Sequence, residues 1–312
     1  MTRLRIGTRG SPLALWQARA VAALLERRGR QSEIVIIKTS GDRIQEAPLS
    51  DVGGKGLFVK EIEDALVTGA IDLAVHSAKD MPVALPDGLG VSAVLPREDS
   101  RDALVLRDGI TANDLRGALA QLGATPAIGT GSVRRAAQLA VHAPGARFAP
   151  IRGNVDTRLR KLDAGDYDAL ILAVAGMKRL GHGARISVPI SHDDCIPAPG
   201  QGIVAIETRL EDGETRDVVQ AINDASTAAC FEAERAVVST LGGGCQLPLG
   251  AVARHAGAGL DLQAIVASPD GARSIRRRAQ GDASRPAELG RRLAEDLANA
   301  GAIAILDEVR YS

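Results

Sequence analysis

Ala127-Ile128-Gly129-Thr130-Gly131-Ser132-Val133-Arg134-Arg135-Ala136-Ala137-Gln138-Leu139 decides the fold class. A short apolar strand end runs into a turn of glycine, threonine and serine, and a helical pattern from Val133 to Val141 follows at once. The grammar continues as strand Arg147 to Ile151, helix Val155 to Ala164 and strand Ala169 to Val174. Strands separated by helices imply parallel pairing through right-handed crossovers, which collects binding residues at the carboxyl ends of the strands. An α/β lobe is expected from residue 98 to 198.

Upstream the same grammar is already present. A strand-like start leads to a helix from Ser11 to Gly29, with a capping serine, proline in the first turn and glycine at its end. Leu13, Trp16, Ala20 and Leu24 recur on that helix at steps of three or four. Strand Glu33 to Lys38, helix Leu57 to Val67 and strand Ile71 to His76 complete a second lobe over residues 1–97. The Pro197-Ala198-Pro199-Gly200-Gln201-Gly202 segment reads as a crossing, and strand Ile203 to Glu207 returns the chain to the first lobe, giving it residues 199–216 as well. From 217 to 312 the pattern is helices at Asp217 to Asn223 and Ala225 to Leu241, three strand candidates and a closing helix from Pro286 to Ala300. That is a small α+β domain.

Composition narrows the function classes. Lys and Arg number 38 against 38 Asp and Glu, so any anion binding has to be local, and neither nucleic acid nor a membrane surface is an expected partner. Aromatic residues make up 2% of the chain, which leaves no stacking ladder for single strands. The start carries no secretory pattern and the longest apolar runs are too short to cross a bilayer, so a cytoplasmic location is expected. Cys195, Cys230 and Cys245 lack metal-ligand spacing, so no metal site is expected, and Cys230 in a helical run reads as a core residue.

Cys245 is different. Gly242-Gly243-Gly244-Cys245-Gln246-Leu247-Pro248 reads either as a glycine-rich turn with an incidental cysteine or as a thiol placed where its sulfur is reachable. Cations gather elsewhere at strand-to-helix junctions. Thr8-Arg9-Gly10-Ser11 opens the first helix, and Thr130 and Ser132 with Arg134 and Arg135 open its counterpart in the second lobe. Arginine at a helix start opposes the dipole, so Arg134 and Arg135 read either as solvated side chains or as compensated by a bound anion. Arg152, Arg158, Lys178 and Arg179 follow the next two strands, and if those strands are parallel all these charges lie along one rim. Guanidinium forks suit carboxylates as well as phosphates, and no phosphate-loop fingerprint is present. Past another strand, His76-Ser77-Ala78-Lys79-Asp80-Met81-Pro82 supplies a carboxylate, read either as a counter-ion or as a stabiliser of developing positive charge on ligand N–H groups. His76 reads as structural. The span Gly41 to Gly56, with Lys55, is long enough for a lid.

Taken together, Gly7 to Gln17, Gly53 to Phe58, His76 to Pro82, Arg134-Arg135, Arg152 to Val155, Gly200 to Gly202 and Gly243 to Cys245 resemble the porphobilinogen deaminase family over essentially the whole chain. The resemblance implies two lobes like those of type II periplasmic binding proteins plus the small third domain. It implies a dipyrromethane cofactor held covalently by Cys245 through a thioether, with Ser77, Lys79, Asp80, Thr130, Ser132, Arg134, Arg135 and Gly202 around it. Asp80 matches the catalytic aspartate, and Arg9, Ser11, Lys55, Arg152, Arg158, Arg179 and Gln201 match substrate-binding positions. The implied reaction joins four porphobilinogen molecules head to tail with loss of ammonia and releases the product with water, in a monomer. Asp51 departs from the pattern, since many members carry lysine there. A small-anion binding module is the alternative from another class, and it leaves the reachable cysteine unexplained. A cysteine hydrolase ranks last, because no histidine partner for Cys245 is evident.

Overall fold

The computed structural model describes residues 3–40, 59–107, 110, 112–243 and 247–310. In chain order the first elements are β1 (Leu4–Thr8), α1 (Pro12–Arg27), β2 (Ser32–Ile36), α2 (Lys60–Val67), β3 (Leu73–Ser77), a 3-10 turn (Ala78–Asp80) and β4 (Leu89–Val94). Next come β5 (Asp102–Leu106), α3 (Leu115–Ala120), β6 (Ala127–Gly129), α4 (Val133–Leu139), β7 (Arg147–Ala149), α5 (Val155–Asp163), β8 (Ala169–Ala173), α6 (Val174–Arg179) and β9 (Val188–Pro189). The remainder forms β10 (Val204–Arg209), α7 (Gly213–Gln220), α8 (Ala225–Thr240), β11 (Leu249–Ala256), β12 (Gly259–Ala267), β13 (Ser274–Asp282), α9 (Pro286–Asn299) and α10 (Ala302–Arg310).

Two compact units result, Met1–Glu98 with Ile203–Ala229, and Asp99–Gly202 with Cys230–Ser312. The first holds a five-stranded sheet in the order β2-β1-β3-β10-β4, in which β1, β2 and β3 are parallel and β10 runs antiparallel to both neighbours. Strand β3 is apolar on both faces because both are covered. Leu73 and Val75 join Val21 and Leu25 of α1, while Ala74 faces Ile62 and Leu66 of α2. As expected, the strand after the Pro197–Gly202 segment belongs to this sheet.

The apolar stripe of α1 lies about one residue from its expected place. Trp16 is 39% exposed, and the buried face is Gln17, Ala18, Val21 and Leu25. A polar residue on the buried face hides the period, and Gln17 is tolerated there because it bonds Ser77. Helix α7 starts earlier than expected because the Asp212 carboxylate caps it, accepting from the Thr215 N–H at 3.0 Å, and its Val219 packs in this unit's core.

The second unit repeats the plan. Its sheet runs β7-β6-β8-β5-β9, with β6, β7 and β8 parallel and β5 antiparallel to β8. In each sheet the antiparallel strand is the one entered directly after a crossing of the chain, β5 here and β10 in the first. The unit also contains the small antiparallel sheet β11-β12-β13, packed on α9 and α10. Helix α10 has no counterpart among the expected elements. Strand β11 lies close to the segment before the crossing: a Cβ on Gly250 would meet the Ile196 carbonyl oxygen at 2.6 Å. The fold is thus α/β in two lobes with a small α+β region.

Candidate active site

In the second unit the condition set by the sequence is met. Parallel pairing of β6 with β7 and β8 puts the carboxyl ends of all three strands on one edge. Thr130, Ser132, Arg134 and Arg135 follow β6, Arg152 and Arg158 follow β7, and Lys178 and Arg179 follow β8. Two helices begin on this edge with side-chain caps, Ser132 accepting from the Arg135 N–H and Asn154 from the Thr157 N–H at 2.9 Å. Arg158 donates to the Gly153 carbonyl at 2.8 Å and Arg179 to the Gly202 carbonyl at 2.7 Å. These bonds hold the two long side chains at the rim.

Arg134 and Arg135 are not at the solvated edge. They are 4% and 7% exposed, and both close on Asp102 at the start of β5, which is fully buried. Arg134 Nη1 lies 2.8 Å from Asp102 Oδ2, and Arg135 Nη2 and Nε lie 2.8 and 2.9 Å from Oδ1. Gln201 Nε2 donates to the same Oδ1 at 2.9 Å and to the Ser100 carbonyl at 2.7 Å. Two cations overcome the cost of burial and hold the Asp102 carboxyl far below the usual carboxylate range. The unfavourable arginines at the helix start therefore do have an anion to compensate them, and it is supplied by the chain. Cys195 lies beside them; burial pushes its thiol up to about 12, so it stays neutral.

The Gly200-Gln201-Gly202 turn needs its glycines, since φ is +74° and +88° at the two ends. Glu234, fully buried, accepts from the Gly200 N–H and the Ala253 N–H, each at 2.7 Å, so the turn is anchored through α8 to β11.

In the first unit Arg9 and Ser11 stand at the carboxyl end of β1, and Ser77, Lys79 and Asp80 at that of β3. The parallel pairing of β1 with β3 puts both on one edge. Ser11 caps α1, accepting from the Ala14 N–H at 3.3 Å. Ser77 accepts from Gln17 Nε2 at 2.8 Å, so Gln17 reaches it from the buried side of α1. Asp80 is exposed, and no ion pair holds its carboxylate among the described residues. Cys245, Lys55 and Asp51 lie outside the described residues. Cys230 is buried in α8. Among the described residues no group of three His, Cys, Asp or Glu could hold a metal ion, and no helix is long and apolar enough to cross a membrane.

Residues 4–217 match the family model described as porphobilinogen deaminase, dipyromethane cofactor binding domain, and residues 228–299 match porphobilinogen deaminase, C-terminal domain. The chain belongs to the porphobilinogen deaminase family. Membership carries hydroxymethylbilane synthase activity, a transferase step of tetrapyrrole biosynthesis, with a bound dipyrromethane and porphobilinogen as substrate.

Solved structures are similar at low identity. The BvgS periplasmic VFT2 domain of Bordetella pertussis is 18% identical over 71% of this chain and 86% of its own, with a TM-score of 0.39. An ancestral arginine-binding protein bound to arginine is 16% identical over 71% and 91%, with a TM-score of 0.37. The L-cystine solute receptor of Neisseria gonorrhoeae, in its unliganded open conformation, is 13% identical over 78% and 94%, with a TM-score of 0.41.

Sequence reasoning missed Asp102 and Gln17. Asp102 carries no local signal, because its partners are far along the chain. Gln17 has one: a polar residue between Trp16 and Ala18 in an otherwise apolar helical run.

Proposed function

We propose that this chain joins four porphobilinogen molecules head to tail, with loss of one ammonia at each addition, on a dipyrromethane primer bound through a thioether to Cys245. Hydrolysis then frees hydroxymethylbilane while the primer stays. The observation that supports this best is the row of cations after β7 and β8, namely Arg152, Arg158, Lys178 and Arg179. Each pyrrole unit bears an acetate and a propionate, and paired guanidiniums meet such groups with two charge-assisted hydrogen bonds apiece. Hydroxyls of Thr130 and Ser132 and the amides opening α4 and α5 extend the same preference. The donor set therefore fits a carboxylate-rich dipyrromethane, with Arg134, Arg135, Lys79, Ser77 and Gly202 holding it.

When bound, the dipyrromethane supplies the pyrrole carbon to which the first substrate is joined. Departure of ammonia from porphobilinogen leaves positive charge on its pyrrole nitrogen. The Asp80 carboxylate accepts the N–H hydrogen bond of that ring, and its charge stabilises the cation as it forms. Arg9, Ser11, Lys55, Arg152, Arg158, Arg179 and Gln201 bind the substrate carboxylates and orient the ring for attack. Three domains with bounds near 97, 198 and 216, a cytoplasmic monomer, and no nucleic-acid partner complete the proposal.

Intact mass tests it directly. Purified active protein should exceed its polypeptide mass by a two-pyrrole adduct, and Cys245→Ala should lose both the adduct and all turnover. Active protein weighing no more than the bare chain overturns the primer.

A further inference from the structure

At the second unit's site, three residues proposed to act on ligand, Arg134, Arg135 and Gln201, converge on one that has no such role. Asp102 has no solvent exposure and receives all three within 2.9 Å. Further contacts complete the shell. Arg134 Nη1 donates to the Ile196 carbonyl at 2.7 Å and Arg135 Nη1 to that of Ile171 at 3.0 Å. Gln138 brackets Ile196, accepting from its N–H at 2.8 Å and donating to its carbonyl at 2.9 Å. Arg134 and Arg135 are thus fixed in plane and direction.

Bidentate recognition of a carboxylate demands that geometry. A long guanidinium side chain left mobile loses rotamer entropy on binding, and one pinned in advance does not. Charge gives the same answer: two cations and one anion leave the cluster net positive, which keeps an anionic ligand attracted while making burial tolerable. Cys195, whose Sγ lies 3.4 Å from Arg134 Nη1, stays a thiol and takes nothing from that charge.

We infer that Asp102 is a positioning residue, whose carboxylate aims the Arg134 and Arg135 guanidiniums and the Gln201 amide at the carboxylates of the bound pyrrole chain. The inference rests on the proposed role of the two arginines. Asp102→Glu keeps the charge and displaces the cluster by one methylene, and a misplacement of that size costs up to about 10²-fold in function. Asp102→Asn keeps the shape and removes the charge.

The test uses full-length protein as purified, with three readouts: the fraction of chains carrying the two-pyrrole adduct by denaturing intact mass, the melting temperature, and KM against kcat for porphobilinogen. Positioning predicts that folded Asp102→Glu has a reduced adduct fraction and a KM raised about tenfold or more, with Asp102→Asn at least as impaired. A lowered melting temperature with adduct fraction and KM at parental values makes Asp102 a packing residue and overturns the inference. Should Asp102→Asn fail to fold, the Glu variant decides alone. Arg134→Leu and Arg135→Leu separate the two levels. If they too leave adduct and KM unchanged, the carboxylate-binding role of the arginines falls. If they lose both while the Asp102 variants keep both, only the positioning role falls.

Discussion

Asp80 and Asp102 each stand at a strand end of a sheet built to the same plan, and they have opposite surroundings. Asp80 follows β3 on a 3-10 turn, exposed and outside any ion pair among the described residues. Asp102 opens β5, fully buried between two arginines. The comparison separates two uses of one side chain. A carboxylate closed on internal cations has satisfied its charge before any ligand arrives. One left open has its charge uncompensated, as the proposed stabilisation of a cation formed during reaction requires. The internal counter-ion of the two arginines is Asp102.

The comparison breaks most readily on stability. Asp102→Ala leaves two buried cations without their anion and should lower unfolding stability by about 3–5 kcal/mol in denaturant titration. Asp80→Asn should leave that titration within about 0.5 kcal/mol of the parent and lower kcat by about 10²–10³-fold. If both variants lose stability alike, or Asp80→Asn turns over normally, the contrast is wrong.

A third acid sharpens it. Glu63 of α2 is buried like Asp102 but has no arginine; it faces Glu207, which lies 3.0 Å from His76, and Asp64 lies nearby on its own helix. Burial, then the Glu207 charge, raises its carboxyl from an ordinary 4.5 to about 7, against a smaller opposing effect of His76. Because the folded state binds the proton more tightly, the stabilisation is complete below pH 4.5 and falls as pH rises toward 7. Glu63→Gln should flatten the stability profile across that window. A profile of unchanged slope would show that Glu63 titrates normally.

The alternation of strands and helices, the parallel rim and the return of β10 were legible because each is written in local pattern. Residues Ala127 to Leu139 alone carry strand end, cap and first turn. Helix ends moved by a few residues where a cap outside the periodic run set the start, as Asp212 does for α7. The state of Arg134 and Arg135 was not legible. Arg135 lies 33 residues and Gln201 99 residues after Asp102, and only the sheet order brings them together. Likewise the buried face of α1 is decided by a hydrogen bond from Gln17 to Ser77, 60 residues away.

Strand β10 lies between β3 and β4 yet is encoded more than a hundred residues after either. On the ribosome, therefore, β3 and β4 emerge with open hydrogen-bonding edges, and the amino-terminal lobe cannot close until residues 204–209 have left the exit tunnel. The lobe begun first is finished second, after the intervening five-stranded sheet has all its strands.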